Sequence, residues 1–63
     1  MGKEELQWLS EHSKEVENYS GKWIAFTAKH GIIASGTSAK DAFNTSKTNG
    51  VRLPSIFKVP RKD

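Results

Sequence analysis

Cysteine is absent from this 63-residue chain, and only two prolines and two histidines are present. Without cysteine there is neither a disulfide framework nor a thiolate metal site. That composition fits a reducing compartment, so a cytoplasmic location is expected. Long hydrophobic runs are missing as well. No stretch approaches the roughly 18 continuous apolar residues of a membrane span. The opening MGKEELQWLSEH is too charged for the apolar core of a secretory signal. Leu6 occupies the position where a myristoylation signal has Ser or Thr.

What is present has to fit one domain, 1–63. Apolar burial for a chain this size is worth roughly 90 kcal/mol at about 25 cal/mol per Å². Ordering it costs about 1.5 kcal/mol per residue, again roughly 90 kcal/mol. A chain so balanced needs good packing or a partner. The net charge of +3 divides unevenly. Residues 1–20 hold two lysines and five glutamates, and residues 21–63 hold eight Lys or Arg against Asp41 and Asp63. An acidic segment thus precedes a basic body, which promotes attraction within the molecule and solubility.

The spacing of Leu6, Leu9 and Val16, with Trp8 and His12 on a flanking stripe, predicts an amphipathic helix over 3–17. Asn18-Tyr19-Ser20-Gly21 ends it. Lys22–Ala28, KWIAFTA, reads as a strand, and Lys29-His30-Gly31 turns it back into Ile32–Ser35. Thr37 or Ser38 can cap the next helix, with Asp41 completing a capping-box-like pattern. Ala39, Ala42, Phe43 and Ser46 give that helix a narrow face of small residues with one large knob, and Asn49-Gly50 stops it. Ser55–Val59 is a third strand, closed by Pro60. The fold class is therefore α+β, in the order α-β-β-α-β, with a ββαβ core over 22–59. The third strand can lie beside the first, making the sheet antiparallel, or beside the second, making a βαβ unit. The former, order 2-1-3, is favoured because KWIAFTA is the most apolar strand and belongs in the centre.

Alternation places Trp23 and Ala25 on one side of the first strand, and Ile24, Phe26 and Ala28 on the other. Both sides are apolar. One helix covers one of them, so the other needs the N-terminal helix or another molecule.

The segments YSGKWIAF (Tyr19–Phe26), GIIASG, NGV and PSIFKVP resemble a small prokaryotic family catalogued only as a domain of unknown function. Its members share a pattern like Y-x-G-K-W-[IV]-A, then A-S-G, then P-x-[IV]-x-x-[IV]-P. The resemblance covers Tyr19 to Pro60 and implies the same fold, with no established activity. The architecture is also similar, more loosely, to the partial RNase-H-like domains of some antitoxins, a likeness of fold alone.

No catalytic constellation stands out, and the chain is expected not to be an enzyme. His12 and His30 lie in different elements, and neighbours such as Ser10, Glu11 and His12 point to different helix faces. Two histidines without cysteine fall short of a structural zinc set, and no cofactor is expected. The strand-glycine-helix run Ala34–Asp41 lacks the P-loop pattern, and capping explains Thr37, Ser38 and Asp41. Trp23 and Phe26 face opposite ways and make no joint stacking platform.

Two functions of different class follow. The first is a protein–protein interaction module, acting as a homodimer or as a small, antitoxin-like partner subunit. The second is a weak nucleic-acid binder using the basic body. Candidate contact residues are Trp8, Lys22, Trp23, Arg52, Lys58, Arg61 and Lys62.

Overall fold

The most apolar segment of the chain does form the middle strand. A computed structural model describes residues 2–61, so the candidate Lys62 lies outside the described residues. In chain order it contains α1 (Lys3–Glu11), α2 (Ser13–Glu17), β1 (Trp23–Thr27), β2 (Gly31–Gly36), α3 (Ala39–Thr48) and β3 (Ser55–Lys58). The sheet runs β2-β1-β3, with both pairings antiparallel. In register, Trp23 faces Gly36 on one side and Lys58 on the other, while Ala25 faces Ala34 and Ile56. Lys22 and Ala28 fall just outside β1.

Each face of the sheet is closed by a different kind of packing. On one face Ala25, Ala34 and Ala42 form a small core, with Trp23 and Ile56 against it. Their short side chains let the backbone of α3 approach the strands. The approach is tightest at Gly36, where a β-carbon would lie 2.6 Å from Asp41 Cβ and 3.0 Å from the Ala42 nitrogen. The ends of α3 are secured as its sequence suggests. Ser38 Oγ accepts from the Asp41 N–H at 3.1 Å. The Asp41 carboxylate accepts from the Thr37 hydroxyl instead of completing the reciprocal box, since aspartate is one methylene shorter than the usual glutamate. Past Asn49, the fully buried Ser46 donates its hydroxyl to the Val51 carbonyl at 3.0 Å. Asn49 Nδ2 reaches the Ile33 carbonyl and ties the helix end to β2.

The opposite face carries Trp8, Val16, Ile24, Phe26 and Val59, with Leu9, Tyr19, Ile32 and Phe57 packed around them. Thus α1 and α2 provide the second cover. Most of each apolar face of the sheet is therefore covered within the chain.

Two expectations need correction here. The helix anticipated over 3–17 is interrupted at His12, which leaves helical geometry at φ −117° and ψ 30°. No proline or glycine causes the break; tertiary packing does. The His12 ring stacks on Trp8 with centroids 4.3 Å apart, and its Nδ1 donates to the Trp8 carbonyl at 2.9 Å. Trp8 in turn stacks on Phe26 at 5.2 Å. Second, Trp8 belongs to the core at 7% exposure, whereas Leu6 is 56% exposed. Positions 6 and 8 lie about 200° apart around a helix, so burying the indole turns Leu6 outward. The indole wins because it carries more apolar surface and reaches Phe26.

Candidate interaction surface

The covering of the second face is incomplete over β3. Leu9, Val16, Phe57, Val59 and Pro60 line an open slot of about 330 Å³ between the helices and the end of the strand, with Ser13, Glu17 and Ser20 at its rim. Its walls are almost wholly apolar, in a size range suited to an aliphatic or aromatic group. The slot follows from the break in the helix. The short α2 contributes Val16 as its buried residue, and α1 directs Trp8 towards Phe26 on the central strand. No large side chain is left to lie over Phe57.

Beyond β3 the chain keeps pairing with the segment before β1. Val59 N–H donates to the Lys22 carbonyl and Val59 accepts from Gly21 N–H, each at 2.9 Å. Gly21 has φ +79°. This is a bulge with glycine in the left-handed conformation, and it needs glycine for that reason. It draws several candidate residues together at one end of the sheet. Lys58 is the cross-strand partner of the half-buried Trp23. Lys22 lies across from Val59, and Arg61 packs its stem where a Gly21 side chain would point. Lys22, Lys58 and Arg61 are exposed. Since Lys58 shares the α3 face with Trp23 while Lys22 follows the Val59 face, the cations wrap around the sheet end and do not lie on one plane.

The other candidates are elsewhere. Arg52 is exposed on the connection from α3 to β3, at the far end of the strand. Trp8 is buried and cannot meet a partner without leaving the core. Phe26 is fully buried on the face opposite Trp23, which leaves that end of the sheet with one accessible indole.

Two features have no signature in the sequence. The apolar slot is one; its lining comes from positions 9 to 60 and has no local signature. The other is an open cleft of about 420 Å³ that brings His12 and His30 together with Glu15 and Lys29. A carbonyl can only accept, so the bond to Trp8 leaves the proton of neutral His12 on Nδ1 and the lone pair on Nε2. Among the described residues no group of three or more His, Cys, Asp or Glu side chains is placed to hold a metal ion.

The architecture defines a class: a small α+β domain with a three-stranded antiparallel sheet held between helices. Residues 14–62 match the model of a family of unknown function, DUF5678, and the chain belongs to that family. The match begins within α2 and leaves α1, with Trp8, outside it. No curated protein and no solved structure matches the chain. No helix among the described residues is long and apolar enough to cross a membrane.

Proposed function

We propose that the chain is a non-enzymatic protein–protein interaction module, working as a homodimer or as a small partner subunit. The open slot over β3 is the observation that carries this reading. The central strand is buried at Ile24, Ala25 and Phe26, yet over β3 Leu9, Val16, Phe57 and Val59 line a recess with almost no polar wall. An apolar recess of this kind is stabilised when a partner's apolar group excludes water from it. Glu17 on the rim and Lys22 and Arg61 at the adjoining sheet end give the surroundings of the slot both signs of charge, so the apolar recess and not net charge sets what it accepts.

Ser13 stands on the exposed rim of the slot and gives a direct test. A photoreactive residue placed there, in cells or at native concentration, is expected to yield a discrete protein cross-link. Competition by Leu9→Glu, which puts a charge in the slot, should abolish it. If only solvent adducts form, the interaction reading is overturned.

The gathering of Lys22, Lys58 and Arg61 at the end of the sheet where Trp23 lies supports a second reading, weak binding of nucleic acid. This reading expects retardation of single-stranded DNA or RNA that falls steeply with salt and is lost in a Lys58→Glu, Arg61→Glu variant. Absence of retardation at low salt removes it.

A further inference from the structure

The free edge of β3 has an unusual arrangement of donors. Val59 directs both its N–H and its carbonyl towards the segment preceding β1. By strand alternation Phe57 and Ser55 do the same, and the polar groups of Ile56 and Lys58 point away from the sheet. Pro54, the next position outward, and Pro60, whose carbonyl accepts from the Ser20 hydroxyl at 3.2 Å, have no N–H. The edge therefore has donors at Ile56 and Lys58 alone, bracketed by residues that stop further pairing. Just before Pro54 stands Leu53, 91% exposed, the most exposed large hydrophobic among the described residues.

We propose that a second copy of this chain pairs antiparallel with the β3 edge, centred on Ile56, and that Leu53 of each copy enters the apolar slot of the other. In that register Ile56 N–H and carbonyl bond reciprocally with Ile56 of the second copy. Lys58 N–H donates to the Pro54 carbonyl of the second copy, and the same bond recurs by symmetry. Every outward donor of the edge is used, and the prolines require none. Directly opposed residues in an antiparallel pair share a face. Leu53 stands in the bend just before Pro54, two residues ahead of β3, which brings it to the level of Val59 of the second copy; Val59 and Phe57 both line the slot. An exposed apolar side chain and an apolar recess thus come to the same end of the pairing in both copies, as a two-fold axis requires. Lys58 meets Pro54, so no like charges oppose each other. The result is a continuous six-stranded sheet whose ends are the two β2 strands, where Asn49 already occupies the Ile33 carbonyl. Because the contact is isologous and proline-bounded, it closes at two copies.

This inference rests on the interaction reading above and narrows it to one occupant, which its test separates. Sedimentation equilibrium of the full chain should show the mass doubling from 7.0 kDa as concentration rises. Leu53→Asp, an exposed position with no packing to lose, and Lys58→Pro, which removes one outward donor, should each weaken dimerisation at least tenfold with unchanged far-UV circular dichroism. A chain that stays monomeric at millimolar concentration overturns the proposal, as does a dimer indifferent to both substitutions. Because the chain has no cysteine, Lys58→Cys on the exposed edge carries a unique spin label; the register sets the two labelled positions about 14 Å apart along the sheet, and a dimer whose labels lie far beyond that overturns the register. If the Ser13 cross-link captures only a different protein, self-pairing fails while the interaction reading survives. If it captures nothing, both fail.

Discussion

The two faces of the sheet are covered by opposite strategies. Under α3 the contacts are alanines and a glycine, so the helix backbone itself presses on the strands. Under α1 and α2 the contacts are an indole, a phenylalanine and branched aliphatics reaching across a wider gap. Small residues close an interface without voids but tolerate no growth. Large residues bury more area each, yet a few of them cannot tile a whole sheet, and the uncovered remainder is the slot. The comparison separates what holds the domain together from what it offers to others.

The largest expected effect breaks the wide interface. Trp8→Ala removes the only buried residue of α1 and should cost about 3 to 5 kcal/mol, read as a lower denaturation midpoint. Loss of a small domain's fold is the extreme outcome; an effect under about 1 kcal/mol would mean that α1 is an ornament on a core that stands without it. The close interface is tested by growth. Ala42→Leu, at a fully buried position, should destabilise by about 1 to 3 kcal/mol through overpacking; a neutral result would show that α3 can back away from the sheet.

Smaller effects sharpen the contrast. Ser38→Ala deletes the acceptor for the Asp41 N–H and should cost about 1 kcal/mol, measured by urea denaturation. Leu6→Glu should change stability by less than about 0.5 kcal/mol, since the side chain is mostly in water. A large loss there would show that α1 turns its leucine stripe inward and that Trp8 is not the anchor.

Much of the fold is legible in the sequence. The central place of KWIAFTA, the antiparallel order and the Ser38 cap are local or pairwise properties, and the structure agrees with them. The sides assigned to Ile24, Phe26, Trp23 and Ala25 hold as well. The N-terminal segment was harder. A continuous helical stripe through Leu6, Leu9 and Val16 is what a straight helix would bury, and the bend at His12 removes the premise. Of the candidate site, the sequence shows Lys22, Trp23, Lys58 and Arg61 as residue types, while their convergence depends on the pairing of residues 20–22 with 59–60. Nothing in the order of residues announces that Leu9 and Phe57 share a wall.

By itself, then, the amino-acid order determined which segments alternate, which residues cap and turn, and that both sides of the sheet needed a cover. Those are consequences of periodicity and backbone chemistry within a few residues. Tertiary structure alone decided which side chains of the acidic N-terminal segment supply that cover, where they bend the helix, and what they leave uncovered. Such choices turn on competition between groups distant in the chain for one apolar surface, and an indole outbids a leucine only once Phe26 is in reach.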